Sequence, residues 1–336
     1  MGAAKITAVD PARDTSIDPH RLDVAYRQIV EHCVGIGPGD DVLIVIDPER
    51  RGIGGGLLEA VQDAGAEPAV AVLPPSAARG SEPTRAIAAA MLAADAFLAP
   101  CLPSLSHTQA RKAATAAGVR GATLPGATIG MLSRLMTADL DLVAQRSAAV
   151  AELLTTATTA TVTCASGTDL TLDLTARSGI SDDGDLRAPG AFGNLPCGEG
   201  FVSPRAGDGV IAAHVLPTSG IGGEPVHLTV DGGLLTGAEG GPGAAAETFL
   251  AALDAHGPQA RTIAELGIGT NENAQITGNV LEDEKVLGTA HIAFGASAGI
   301  GGDVAVPVHL DVVVLKPTVH VGGTLVVDAG RFVLGA

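Results

Sequence analysis

The stretch DVLIVI at Asp41–Ile46, followed by LLEAVQDAGA at Leu57–Ala66, decides the fold of the first part of this sequence. The first run is short and almost wholly apolar, which is typical of a buried strand. The second run has the apolar spacing of a helix and reaches Gly65, a favourable helix stop. A buried strand followed by a helix is the repeating unit of a parallel sheet.

The same alternation continues to about residue 155. Further strands are predicted at Ala69–Leu73, Ala96–Pro100 and Val119–Leu124, and helices at Thr84–Ala94, His107–Ala117, Ile129–Met136 and Ala138–Thr155. This pattern predicts an α/β N-terminal domain with a parallel sheet at residues 1–150.

From Thr158 onward the pattern changes to period-two alternation interrupted by Gly, Asp and Pro. We predict a hairpin at Ala160–Leu174, strands at Gly209–Leu216, Val226–Leu235 and Val306–Leu315, and a helix at Ala244–His256. The polar stretch Arg177–Gly193 is predicted as a long loop that contacts substrate. We therefore expect residues 151–336 to form a β-rich α+β domain.

Composition excludes several function classes. The 336 residues carry a net charge of -17, and no Lys/Arg cluster could follow a phosphate backbone, so a nucleic-acid partner is not expected. No run of about 18 apolar residues indicates a membrane span, and Met1–Asp18 has no signal-peptide pattern. We expect a soluble, cytoplasmic protein. The four cysteines lack a C-x-x-C pair, which favours buried free thiols over a zinc site or disulfides.

The glycine-rich stretch GIGGG at Gly52–Gly56 follows a strand and precedes a helix. A phosphate could bind at such a helix N-terminus. However, the third glycine of a dinucleotide-binding motif would fall at Leu57, so a tight turn is the favoured interpretation.

The sequence His309-Leu310-Asp311 lies inside an apolar strand. Residues two apart in a strand project from the same face, and a buried carboxylate is costly unless a cation or a donor compensates it. A metal site and a structural His-Asp hydrogen bond explain this pair equally well.

Three further polar residues occupy short apolar or glycine-bounded segments in the same half of the chain: Glu199, Glu265 and His291. Carboxylates and neutral imidazoles together suit zinc, cobalt, manganese or iron(II), as one ion or as two bridged ions. Such ions activate water and polarise carbonyls, so the residues favour a hydrolase.

Four stretches in this region resemble the metallo-aminopeptidase family of the aminopeptidase T and aminopeptidase S type. They are NLPCGEGFVSP at Asn194–Pro204, AELGIGTN at Ala264–Asn271, LEDEKVLGTAHIAFG at Leu281–Gly295, and HLD at His309–Asp311. The resemblance implies an N-terminal α/β domain, a β-rich metal domain, a homodimer, and a small-molecule or short-peptide substrate.

The resemblance also implies residue roles. Glu199, Glu265, His291, His309 and Asp311 would bind metal, with Glu265 or Asp311 as the bridge and Glu265 as the acid/base. Glu284 and Lys285 would support the ligands or contact substrate, although an ion pair on a helix surface explains them equally well.

The chain departs from the family at Ala298, where the family's peptidases have a tyrosine. The missing phenol leaves open a metal-binding or ligand-binding module without catalysis. The 2,5-dihydroxypyridine ring-cleaving dioxygenases share the fold and bind one iron(II) through two histidines and an aspartate. They share the H-x-D, but have histidine where this chain has Glu265. We therefore place hydrolysis first and an iron(II) dioxygenase second.

Overall fold

The computed structural model describes residues 18–75, 77 and 80–335. Internal contacts divide the chain into two units. The first comprises the described residues up to Thr137 together with Gly184–Pro196, and the second comprises Ala138–Asp183 and the residues from Cys197 onward. This division differs from the predicted boundary near residue 150, because helix Leu140–Thr156 packs Val150 and Leu154 into the core of the second unit.

The first unit is built on a five-stranded parallel sheet, in which the strands have the order β2-β1-β3-β4-β8. Labels follow chain order. The strands are β1 (Asp41–Ile46), β2 (Glu67–Val72), β3 (Ala96–Ala99), β4 (Arg120–Thr123) and β8 (Phe192–Asn194). The helices are α1 (Pro19–Arg27), α2 (Arg51–Asp63), α3 (Arg85–Ala93), α4 (Gln109–Ala116) and α5 (Ile129–Leu135). The predicted parallel α/β arrangement is confirmed.

Hydroxyl side chains fix where three of these helices begin. Thr84, Thr108 and Thr128 precede α3, α4 and α5, and each accepts a hydrogen bond from the backbone N–H three residues later. These bonds satisfy donors that the first turn of a helix leaves free. The helices therefore begin within two residues of their predicted starts.

The glycine-rich stretch Gly52–Gly56 lies inside α2 and does not form the predicted tight turn. A Cβ at Gly54 would lie 2.7 Å from Ile46 Cγ2, and one at Gly56 would lie 2.0 Å from Tyr26 Cε2. The glycines let α2 approach the sheet and α1 closely. The glycine-rich stretch therefore indicates close packing of a helix and not a turn.

The second unit contains a large antiparallel sheet. Its main path runs β18-β17-β16-β5-β6-β10-β15-β14-β13-β9-β7, with β11 and β12 joined through β10. The strands are β5 (Thr159–Thr163), β6 (Asp169–Asp173), β7 (Ile180–Asp182), β9 (Glu199–Val202), β10 (Ala206–Leu216), β11 (Gly220–Asp231), β12 (Leu234–Gly240), β13 (Ile263–Gly269), β14 (Ala290–Gly295), β15 (His309–Val314), β16 (Thr318–Val321), β17 (Thr324–Asp328) and β18 (Arg331–Phe332). The helices are α6 (Leu140–Thr156), α7 (Ala245–Asp254) and α8 (Val280–Asp283).

The predicted hairpin at Ala160–Leu174 is confirmed as the β5-β6 pair. Val226–Leu235, predicted as one strand, crosses the turn between β11 and β12 at Gly232 and Gly233, whose φ angles are 56° and 86°. Two glycines between apolar residues barely change the alternation of the sequence, so the turn between the two strands was not predicted.

The predicted long loop Arg177–Gly193 contains the short strands β7 and β8, which belong to different units. Three of the four cysteines are buried as expected, whereas Cys164 is partly exposed. None of the described helices combines the length and apolar character needed to cross a membrane.

Candidate metal centre

The five predicted metal ligands lie on four neighbouring strands of the large sheet. Glu199 begins β9, Glu265 lies on β13, His291 on β14, and both His309 and Asp311 on β15. Ala293 pairs with Glu265 on one side and with Asp311 on the other, so these two carboxylates share a row across the sheet.

Strand alternation separates a core face from a site face. Leu266, Ile292 and Val312 lie within the hydrophobic core of the unit. Their neighbours Glu265, His291 and Asp311 therefore project from the opposite face. Glu265 and His291 are only 6% and 1% exposed, so this face carries buried charge.

The register places His291 opposite Gly267. A Cβ at Gly267 would lie 2.0 Å from His291 Nε2. The imidazole therefore lies over the backbone of β13, and only glycine at this position leaves room for it.

The side chains converge into groups that could each hold a cation. Glu199, Glu265 and His291 offer atoms within 4.8 Å of one another, and so do Glu265, His309 and Asp311. Glu265 belongs to both groups, which is the arrangement expected of a bridging carboxylate. A third group combines His291 and Asp311 with Glu284.

The histidines present their Nε2 atoms to the carboxylates. His309 Nδ1 lies 2.7 Å from the Ala296 carbonyl oxygen, which fixes Nδ1 as the donor and leaves Nε2 for Asp311 at 3.3 Å and Glu265 at 3.4 Å. A metal-binding histidine commonly has such a carbonyl partner.

One short contact is of the kind found between two ligands of one ion. His291 Nε2 lies 2.8 Å from Glu199 Oε2, and among the described residues this buried oxygen has no partner with good hydrogen-bond geometry. Two donor atoms that face a common centre without bonding each other are what a shared metal ion requires. The donor set therefore fits a divalent metal.

Electrostatics support the same conclusion. Burial lowers the pKa of His291, but Glu199 and Glu265 raise it well above its usual range. Burial likewise lowers the pKa of His309, and Asp311 and Glu265 more than compensate. The carboxylates thus create a strongly negative potential at the two imidazoles, which attracts positive charge.

Glu284 and Lys285 are buried beside the predicted ligands. Lys285 Nζ donates to Glu199 Oε1 at 2.5 Å and to Glu284 Oε1 at 2.9 Å, and lies 3.4 Å from Asp182 Oδ2. Lys285 is 3% exposed, so the alternative of an ion pair on a helix surface is wrong. The two residues follow α8 and point inward.

Asp182 is a site residue that the sequence analysis missed. It lies on β7 opposite Glu199. Burial raises the pKa of Asp182 to about 7, against the lowering effect of Lys285. Its only sequence signal was its place in a polar stretch, and strand pairing alone brings it to the site.

The position of the absent tyrosine is exposed. Ala298 begins a short 3-10 helix, Ala298–Ile300, that follows β14. The chain's one tyrosine, Tyr26, belongs to the first unit and packs against Gly56. Neither residue supplies a phenol to the centre.

Comparisons with known proteins identify the family and the fold. Residues 21–334 match the profile of the NicX family, described as 2,5-dihydroxypyridine 5,6-dioxygenase. The chain belongs to this family. A search of curated proteins found no match.

Two solved structures share the fold. The 2,5-dihydroxypyridine dioxygenase from Pseudomonas putida KT2440 is similar with a TM-score of 0.78 at 20% identity, over 94% of this chain and 98% of that one. AmpT (aminopeptidase T) from Thermus thermophilus is similar with a TM-score of 0.67 at 17% identity, over 94% and 99%. The fold relationship inferred from the sequence is confirmed. The family match supports an enzyme. The family match favours a dioxygenase more than the sequence analysis did.

Proposed function

We propose that this chain is a divalent-metal-dependent hydrolase that cleaves an amide bond in a small substrate. The observation that carries the proposal is the place of Glu265 in two adjacent groups, one completed by Glu199 and His291 and the other by His309 and Asp311. Two ions sharing one carboxylate would use every predicted ligand.

The charge of the site supports two ions. Glu199, Glu265 and Asp311 are joined by Asp182 and Glu284. Among the described residues, Lys285 is the one lysine or arginine bonded to this cluster, through Asp182, Glu199 and Glu284. The Lys285 ammonium alone does not compensate the negative charge of this cluster, whereas two divalent ions would. Bound there, such ions would lower the pKa of water and polarise a substrate carbonyl.

The protein's own groups have distinct roles in this proposal. Lys285 holds Glu199 in place, and the Ala296 carbonyl orients His309. Burial raises the pKa of Glu284 to about 8, so this carboxyl carries a proton at neutral pH. Because Glu284 Oε1 accepts from Lys285, the proton lies on Oε2, from which it can pass to a leaving nitrogen.

Metal analysis and an amide screen test the proposal. We expect two divalent ions per chain, and hydrolysis of some members of a panel of amino-acid amides and short peptides with cobalt, zinc or manganese. Glu265→Gln should lose both metal and turnover, whereas Glu247→Gln, an exposed carboxylate on α7, should lose neither. Fewer than one ion per chain, with no loss in Glu265→Gln, would contradict the proposal.

The family match favours a second candidate, a mononuclear iron(II) enzyme that cleaves a hydroxylated pyridine-like ring with oxygen. Oxygenases of this kind use two histidines and one carboxylate. His291 Nε2 and His309 Nε2 lie 3.3 and 3.4 Å from the two oxygens of Glu265, so the centre also contains donors of these types. Anaerobic iron loading followed by oxygen-uptake measurements with candidate rings decides between the two, because a hydrolase consumes no oxygen. The homodimer and the cytoplasmic location stay predictions.

A further inference from the structure

A cavity of the β-rich unit is lined by two arginines. It has a volume of about 260 Å³ and is lined by Thr175, Ala176, Arg177, Arg205 and Asp303. We call it the arginine pocket. None of these five residues is a predicted metal ligand or catalytic group.

Strand topology places the arginine pocket at one end of the metal-binding part of the sheet. Arg177 precedes the start of β7, Arg205 follows the end of β9, and Asp303 lies between the end of β14 and the start of β15. These strands are antiparallel neighbours, so those termini share one end of the sheet. His309 begins β15 at the same end.

The metal centre is more accessible on this side. The His309 and Asp311 side chains are 30% and 19% exposed, whereas His291 is 1% exposed. The more exposed ligand His309 and the arginine pocket therefore lie at the same end of the sheet.

Two of the guanidinium nitrogens of Arg177 have hydrogen-bond partners within the described part of the protein, and one does not. Its Nη1 donates to the Gly301 carbonyl at 2.8 Å and its Nη2 to Asp303 Oδ2 at 2.5 Å. Its Nε atom is buried and has no hydrogen-bond partner among the described residues. A buried guanidinium donor left unpaired costs free energy unless a ligand or water accepts from it.

Arg205 is exposed and forms no ion pair with any described residue. The nearby Asp173 carboxylate accepts from Thr175 N at 2.8 Å. That bond lowers the pKa of Asp173, and Arg205 and Arg177 lower it further. Two guanidinium groups therefore act on anions at this place, within a chain of net charge -17.

We propose that the arginine pocket binds a carboxylate group of the substrate whose amide is cleaved at the metal centre. The proposal rests on the proposed hydrolase function and names its substrate class: amides that also carry a carboxylate. Guanidinium groups suit this ligand because their planar donors match the two oxygens of a carboxylate.

Arg177 could instead serve only to hold the segment that contains Gly301 and Asp303. A variant of Arg205 distinguishes this structural role from ligand binding, because among the described residues Arg205 forms no ion pair that could hold a segment in place. Arg205→Gln is therefore the informative variant, and Arg331→Gln is the matched control, since Arg331 is an exposed arginine on β18 of the same unit, 75% exposed in its side chain.

The test is a calorimetric titration of the full-length protein after metal removal, with N-acetylglycine and with its neutral counterpart N-acetylglycinamide. We expect saturable binding of the carboxylate, little binding of the amide, roughly tenfold weaker binding in Arg205→Gln, and no change in Arg331→Gln. Equal binding of both compounds, no binding of either, or an unchanged Arg205→Gln would overturn the proposal.

The titration does not depend on turnover or on bound metal. Failure of the hydrolase proposal would appear as absent metal or absent amide cleavage while the titration still succeeded. Circular dichroism of Arg205→Gln checks that the variant is folded.

Discussion

The two units each contain a cluster of polar side chains with buried members, and the clusters differ in charge. In the first unit, Ser106, Thr123 and Asn194 are neutral. Ser106 Oγ lies 2.7 Å from Thr123 Oγ1, and Asn194 Oδ1 accepts from Thr123 at 2.6 Å and from Ser106 at 3.0 Å. Hydroxyl and amide groups contain both donors and acceptors, so such neutral groups can bond one another without a cation.

The cluster in the second unit cannot do so. Its ionised carboxylates are acceptors only. Among the described residues, Lys285 is the one lysine or arginine bonded to the cluster, and Glu199 Oε2 has no hydrogen-bond partner. The difference shows that burial of polar groups is not itself a sign of function. Burial of like charges that the protein leaves uncompensated is such a sign.

The largest expected effect on metal affinity comes from Gly267→Ala. The added methyl group would displace the His291 imidazole, so we expect the affinity for the ion bound by Glu199, Glu265 and His291 to fall about 100-fold. Calorimetric zinc titration measures the change. Gly237→Ala on β12 is the matched control, because a Cβ there would meet no atom within 4 Å. Unaltered zinc binding in Gly267→Ala would contradict the assigned site.

Metal removal should destabilise the second unit. A ligand that binds only the folded state at about 1,000 times its Kd adds about 4 kcal/mol to the free energy of unfolding. Scanning calorimetry with EDTA and with excess zinc measures this shift, and Glu265→Gln should abolish it. If two transitions are resolved, the one belonging to the first unit should not move. A shift of both would show that the clusters are not independent.

A smaller effect is expected from Thr123→Val in the neutral cluster. The variant keeps the shape of a fully buried side chain but removes the hydroxyl that donates to Asn194. We expect a loss of about 1 kcal/mol in the free energy of unfolding, measured by urea denaturation. Metal content should be unchanged, and a drop in bound metal would contradict the separation of the two clusters.

The smallest expected effect concerns Cys101. Burial, and then the nearby Asp47 carboxylate, raise the pKa of the Cys101 thiol to about 12, so almost no thiolate forms at pH 8. Cys101→Ser should leave the rate of labelling by a thiol reagent unchanged, whereas Cys164→Ser should remove the fastest-reacting thiol. Rapid labelling of Cys101 would show that this part of the first unit opens.

The secondary structure was largely predictable where one pattern dominates a segment. The apolar run of β1 and the alternation of β5 and β6 specify strands through burial, and helix caps such as Thr108 specify a start. The place of α6 was not predictable, because its apolar face shows that it packs but not against which core.

Sequence alone determined the residue types of the candidate centre. Glu199, Glu265, His291, His309 and Asp311 stand in segments where burial makes an unpaired charge costly, and that cost is a local property of the chain. The tertiary structure decided everything that depends on distance between strands. Pairing of β7, β9, β13, β14 and β15 brought the side chains together, added Asp182, and turned Glu284 and Lys285 inward. Coulomb interactions fall with separation in space, and only the folded chain sets that separation.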